Sequence, residues 1–436
     1  MNLLFSNDKR GEHPDSWYAA TAHDAPRHPS LKGATTADVA IIGAGFTGLS
    51  AALHLAEAGL DVALLDAHRI GFGASGRNGG HLGSGQRQEQ TFIEKLMGTD
   101  DARHLWQLAE DSKDLVKSLV ARHKIDCDLK PGIAHAGFNA REVAHEHGYV
   151  EHLQTVYGYN KITPLDHTDM QAVCPSPRYV GGSLDMGAGH LHPLNFALGL
   201  ARAAHAAGAR IYERSHVHQV KEGLSGQPNE VWTDGGKIKA KHVILAANGY
   251  LGGLNRKVAA RVMPINNFIA ATPPLGDDAV RVLAQDVAVA DTKFVINYFR
   301  LSADKRLLFG GGESYGYRFP DIDRTVRKPM ADMFPHLADI PFDYTWGGTL
   351  AITMRRLPYL ARVGQNILSA SGYSGHGVGT ATHAGMLMAR AIQGDASGFD
   401  TMARIPCRPF PGGPTMRSPL LTLAMTWYAL RDRLGV

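Results

Sequence analysis

The sequence predicts an α/β chain (α+β overall): a doubly wound domain on a parallel sheet, joined to a mainly antiparallel β-sheet domain. Three observations predict it. Asp38 to Asp66 reads as strand, glycine turn, helix, strand. Glycine-rich turns recur at 71–85 and 372–379. Between 258 and 346 the pattern changes to short β-rich runs separated by proline and charged turns, as in an antiparallel sheet. The division expected is 1–90, 165–257 and 347–436 for the first domain, and 91–164 and 258–346 for the second.

In chain order, residues 1–36 are polar and proline-bearing, with Trp17 and Tyr18 as anchors, and read as an arm lying on the body. Val39 to Ile42 form a continuous apolar run, expected of a strand buried on both faces. Gly43, Gly45 and Gly48 follow as G-x-G-x-x-G. The first allows the sharp turn, the second lets a pyrophosphate approach bare backbone, and the third lets helix and strand pack closely. Ala44, Phe46 and Thr47 complete the turn into a helix over about 46–58, whose N-terminal N–H groups face the phosphates. Gly59 is the expected helix stop. Val62 to Leu65 are the next strand, and Asp66 ends it beside Ala67, where a carboxylate accepts from ribose hydroxyls. The bare glycine pattern is weak evidence. Gly71, Gly73 and Gly76 also match it, without a preceding strand or a following helix.

Residues 71–87 are read as loop, offering Ser75, Gly76, Arg77 and Asn78 to a pyrophosphate or an electron-rich ring. A helical region is expected over 90–123, extended chain over 125–139 and a helix over 141–157. Pro193 opens another helix, and strands follow at 210–212 and 217–221. Val243 to Ala247 form a buried strand ending at Asn248-Gly249, so Ala247 and Gly249 lie where ligands bind in doubly wound sheets. Strands are expected at 268–272, 294–301, 307–311 and 366–371. The last leads through Gly372, Tyr373, Ser374, Gly375, His376 and Gly377 into a helix over 381–392. A final amphipathic helix is expected at 418–434.

Composition excludes several classes. Net charge is +4 over 436 residues with no basic block, giving little support for nucleic-acid binding. The three cysteines are sparse and unpaired in spacing, arguing against a disulfide framework and suiting a cytoplasmic protein. The N-terminus is no signal peptide, and no apolar run spans a bilayer. The i,i+2 histidine pairs lack metal-ligand spacing, so no metal is expected. No G-x-S-x-G occurs, which removes that hydrolase reading.

Glycine loops at sheet ends with a β-rich insert indicate a large dinucleotide carrying a flat reactive ring. SWYAAT at 16–21, the first strand–turn–helix–strand unit, RIGFGASGRNGGHLGSG at 69–85, WGGTLAITMRRLP at 346–358 and SGYSGHGVG at 371–379 resemble the FAD-dependent amine and amino-acid oxidases of the D-amino-acid oxidase type. These include glycine oxidase and sarcosine oxidase. Within that family the chain is most similar to the bacterial gamma-glutamylputrescine oxidoreductase group, over nearly its whole length. The resemblance implies a Rossmann-like FAD domain, with Gly43, Gly45, Gly48 and Asp66 on the ADP half. It places Ser75, Arg77 and Asn78 by the pyrophosphate and flavin, Val217 by the adenine, and Gly372 to Gly377 at the flavin's pyrimidine edge. Two features depart from sarcosine-oxidase relatives. No cysteine stands in Gly348 to Thr353, so FAD is expected to be noncovalent. Leu308 stands where those relatives place a lysine, with Arg306 nearby, so oxygen or another acceptor remains open.

The chemistry implied is hydride transfer from an amine to flavin N5, giving an imine that hydrolyses to an aldehyde. The candidate catalytic and substrate residues are Arg77, Asn78, Tyr298, Arg300, Trp346, Arg356 and His376, either arginine of the 300/356 pair serving as a carboxylate clamp. Alternatives are a small amino-acid oxidase on the same fold, a noncatalytic flavin-binding protein and an NAD-dependent dehydrogenase. The sequence leaves the oligomeric state unassigned.

Overall fold

The computed structural model describes residues 3–412, apart from 225 and 294. The expected helix at 418–434 lies outside the described residues, as does Phe294 at the start of one expected strand.

The first sheet runs, from edge to edge, Tyr359–Gly364, Ile367–Ser371, Gly236–Leu245, Gly33–Ile42, Val62–Leu65 and Arg210–Tyr212. The last five of these strands are parallel. The apolar run at 39–42 has a direct cause. Val39 and Ile41 enter one core and Ala40 and Ile42 another, so both faces of the strand are covered. Helices Phe46–Glu57, Pro193–Ala206 and Gly377–Ile392 cover the first of these faces. Phe46–Glu57 packs tightly on Gly377–Ile392, because a Cβ at Gly385 would sit 2.2 Å from the Thr47 carbonyl oxygen.

The second sheet has nine strands and is mainly antiparallel. Tyr344–Ile352, Met263–Pro274, Arg306–Ser314, Tyr298–Leu301 and Ala288–Asp291 form one half, and Lys130–Gly137 joins parallel to the last of these. Gly181–His190 and His81–Leu82 complete the order, with Ile162–Leu165 paired on the 181–190 strand. Four of these strands, at 81–82, 162–165, 181–190 and 344–352, come from stretches wholly or partly assigned to the first domain by sequence. Short glycine-rich strands carry little apolar alternation, so their sheet membership is set by tertiary pairing.

Three local expectations change. Residues 71–87 contain a 3₁₀ turn at Ala74–Gly76 and the short strand His81–Leu82. The 90–123 region is two helices, Gln90–Met97 and Thr99–Arg122, broken at Gly98, whose φ of 86° is outside the helical range. The helix expected from 381 begins a turn earlier, at Gly377, with His376 as its N-cap. The extra turn, Gly377 to Thr380, holds two glycines, whose low helix propensity gives no helical signal in the sequence.

The arm lies on the body. Tyr18 is fully buried against Trp346, and Asp8 reaches the 71–87 loop through Arg77. No described helix is long and apolar enough to cross a membrane. Among the described residues no group of His, Cys, Asp or Glu is arranged to hold a metal ion.

Candidate active site

The cleft between the two sheets is a continuous cavity of about 2060 Å³. A pocket for one small ligand is about 300–1000 Å³, so this one has room for a dinucleotide and a substrate together. It starts beside Val217 and Asp66, passes Gly43, Gly45 and Ser75, reaches Gly375 and His376, and opens out past Tyr298 and Glu313.

At its first end, Asp66 is fixed by the turn. Its Oδ2 accepts from the Ala44 amide and its Oδ1 from the His68 amide, each at 2.8 Å. Burial pushes its carboxyl up to about 6, against those two hydrogen bonds. Gly43 has φ 108°, and a Cβ there would lie 2.7 Å from the Ala246 carbonyl oxygen. A Cβ at Gly48 would lie 1.9 Å from the Gly43 oxygen, so only glycine permits this helix–strand contact. At Gly45 a Cβ would meet the Ser75 hydroxyl at 2.7 Å. Ser75 Oγ also accepts from the Phe46 amide, coupling the first glycine turn to the second loop. Thr47 Oγ1 lies 2.7 Å from the Tyr373 hydroxyl, coupling it to the third. The N-termini of Phe46–Glu57 and Gly377–Ile392 therefore open on the same cleft. Ala67, Ala247 and Gly249 line it as expected, whereas Ala44, Gly48, Gly76 and Gly372 shape the turns from behind without lining it. Gly372 is held by its amide donating to Asn248 Oδ1.

At the middle of the cleft, Asn78 bonds the Ala74 and Ser75 carbonyls and accepts from Gly80, so it spends its amide on holding the loop. Arg77 is enclosed: Nε donates to Phe72 O, and Nη1 donates to Asp8 and to Gly347 O. Tyr298 is gripped between bare backbones, since Cβ atoms at Gly79 and Gly310 would collide with its ring. Its hydroxyl donates to Asn267 Oδ1, and burial raises its phenol well above the ordinary range. His376 rests on Gly83, and burial, aided by Arg87, lowers it to about 4. His81, edge-on to Tyr298, is lowered to about 4 by burial.

Two candidates do not reach the cavity. Arg300 lies on the same strand face as Tyr298 but one pleat farther along, under the 79–80 turn, where Nε donates to Gly79 O. Trp346 lies behind Arg77, with Nε1 donating to Arg77 O. Both are structural supports rather than substrate contacts. Arg356 does line the cavity.

Sequence reasoning missed Arg87, Glu313, and a buried polar cluster at the outer wall. In that cluster Lys113 Nζ donates to Ser84 Oγ and Tyr159 Oη and pairs with Glu110 at 2.7 Å. Asp185 accepts from Ser84, Tyr159 and the Gly187 amide. Lys113, Glu110 and Asp185 each look like a surface charge in their own stretch of sequence, and only their meeting across the fold marks them.

The comparisons with known proteins agree with this geometry. The family model described as "DAO: FAD dependent oxidoreductase" matches residues 38–391. The chain belongs to the FAD-dependent oxidoreductases. It is 42% identical to gamma-glutamylputrescine oxidoreductase of Escherichia coli K12, over 98% of this chain and 100% of that one. It is 40% identical to a probable oxidoreductase, OrdL, of Rhizobium meliloti, over 96% of this chain and 97% of that one. Glycine oxidase from Geobacillus kaustophilus shares the fold, with a TM-score of 0.68 at 22% identity, covering 82% of this chain and 95% of that structure. FAD is the cofactor, and the cradle fits it: Gly43 and Gly45 present bare backbone along the cleft, and Asp66 stands where the strand ends.

Proposed function

We propose that this FAD-dependent oxidoreductase oxidises a C–N bond of an extended amine, gamma-glutamylputrescine or a similar compound, and that it holds FAD noncovalently. The observation that carries the reading is the continuous cavity of about 2060 Å³ with Arg87, Glu313 and Arg356 on its lining, which suits a long polar chain better than glycine, sarcosine or a D-amino acid. The 42% identity to the Escherichia coli enzyme supports it. FAD, when bound, would supply the two-electron acceptor for the hydride of the amine carbon, and the imine product would take up water to give an aldehyde and a released amine or ammonia.

The chain's own residues orient the amine and keep it neutral. Tyr298, whose hydroxyl donates to Asn267, is an uncharged acceptor at the middle of the cleft. His81 and His376 are both lowered to about 4 and so carry no charge above about pH 5. A dry wall of neutral groups disfavours an ammonium and favours the free amine, which alone can give up hydride. The limiting rate of flavin reduction, divided by the substrate dissociation constant, should therefore rise with pH as the substrate deprotonates, with neither His81 nor His376 adding a step between pH 5.5 and 8. Anaerobic stopped-flow reduction at half-unit pH intervals checks this. A step near pH 6.5 independent of the amine's own pKa would count against it.

The electron acceptor is oxygen or another oxidant. Leu308 is buried in the core, and Arg306 pairs with Asp304 and Asp343 outside the cavity. The strand that could bring a lysine to the flavin brings none, which favours an acceptor other than oxygen.

A further inference from the structure

Arg87, Arg356, Glu313 and Tyr315 come together at the outer end of the cavity, from three separate parts of the chain. Arg87 and Arg356 are both non-glycine residues held in left-handed backbone, at φ 78° and 56°. Such strain persists where surrounding structure imposes it, commonly at ligand sites. For Arg87 the imposing contact is visible. Its Nε donates to the Ser374 carbonyl at 3.1 Å, anchoring it to the third glycine loop. Among the described residues that is the hydrogen bond it makes, and it forms no ion pair, so its terminal amino groups are left to the cavity.

Glu313 sits on the Arg306–Ser314 strand, directly opposite Asn267, which holds Tyr298. Its Oε2 accepts from the Tyr315 hydroxyl at 2.8 Å. Burial raises its carboxyl, while the two guanidiniums act in the opposite sense. Arg87 is in turn lowered to about 10, by burial first and by Arg356 second. A half-buried lobe thus carries two cations and one anion, all facing the same space. Two guanidiniums placed near each other in a cavity are stabilised by an added carboxylate. One carboxylate beside them is matched by an added ammonium. A group with both charges on one carbon gives the guanidiniums a carboxylate and Glu313 an ammonium at once.

We infer that Arg87, Arg356 and Glu313 form a receptor for an α-amino-acid head group, at the far end of an amine whose other end is oxidised. The carboxylate of the head group lies on the arginines and its ammonium on Glu313. The inference rests on the amine-oxidising reading and narrows it. Substrates are amines linked through a chain to a free α-amino acid, and simple polyamines are excluded for lack of the carboxylate.

Three probes separate the charges: gamma-glutamylputrescine, N-glutarylputrescine, which lacks the ammonium, and N-acetylputrescine, which lacks both charges. Their anaerobic reduction of the holoenzyme gives a rate and a dissociation constant for each. Removing the ammonium should weaken the rate-to-dissociation ratio by about 10-fold, and removing both charges by about 100-fold or more. Glu313→Gln should erase the difference between the first two probes. Arg87→Gln should shrink the difference between the last two. Glu313→Asp should restore part of the discrimination, which a merely structural role would not do. Equal use of all three probes by the unaltered enzyme would overturn the receptor while leaving amine oxidation intact. Unchanged discrimination in Glu313→Gln would overturn it too. Failure of every amine to reduce the flavin would instead overturn the reading beneath it.

Discussion

Stability should fall steeply as pH drops from 6.5 towards 4. Four histidines outside the cavity are held neutral by the fold. Burial lowers His68 and His383 to about 4 and His190 and His192 to about 3. Two show why a proton is unwelcome. His68 Nδ1 accepts from the Gly11 amide while Nε2 donates to Leu4 O, and the ring stacks flat on Phe72 at 3.6 Å. His192 Nδ1 accepts from Asn195 at the start of the Pro193–Ala206 helix. The sign follows from linkage. A folded pKa below the unfolded value of 6.5 contributes stability that is present above pH 6.5 and lost as pH falls through the folded value. Each such group is worth at most about 1.4 kcal/mol per pH unit in that window. Asp66 and Asp291, raised to about 6 by burial, act in the opposite sense. With His81 and His376 in the cleft shifted the same way, the histidines outnumber the two carboxylates, so stability falls between pH 6 and 4.5. Denaturant titrations at pH 7, 6 and 5 check this. A midpoint that holds steady or rises on acidification would contradict it.

Replacing Lys113 by methionine should be the most damaging single change outside the glycine turns. Lys113 is 1% exposed and is the cation of the cluster that holds Glu110, Ser84, Tyr159 and Asp185. Its stem packs on the core, so methionine replaces the volume and removes the charge. Glu110 is then left without its ammonium, and Ser84 and Tyr159, which link Lys113 to Asp185, lose their donor. Breaking a buried pair in this way costs about 3–5 kcal/mol, more than the pair itself contributes. Thermal melts should show the loss, and Lys113→Met with Glu110→Gln should recover part of it. A variant that melts with the unaltered enzyme would contradict the assignment.

The cofactor half of the site was legible because its physics is local. A strand buried on both faces, a glycine with φ 108° and a helix opening onto phosphate all lie within a few residues of one another. Asp66 followed from its place at the end of the second strand, and Ser75 from being a polar group in the glycine loop. The substrate half was not legible, because its contacts join distant parts of the chain. Arg77 meets Asp8, Arg87 meets Ser374, and Lys113 meets Ser84. Arg300 shows the limit well. Alternation along Tyr298–Leu301 puts it on the correct face, but nothing local reveals that the Gly79-Gly80 turn covers it. Trp346 fails for the same reason, lying behind Arg77 rather than in front of it. The sheet assignment of Gly181–His190 needed partners on either side, at 130–137 and 81–82, that no pattern within the strand announces.

The central claim is that an extended amine, rather than a small amino acid, reduces the bound FAD. One anaerobic titration of the purified holoenzyme, followed at the flavin absorbance band, tests it directly. Gamma-glutamylputrescine should bleach the flavin fully at one equivalent, while glycine, sarcosine and D-alanine at the same concentration should leave it yellow. Bleaching by one of the small amino acids, with gamma-glutamylputrescine inert, would contradict the account.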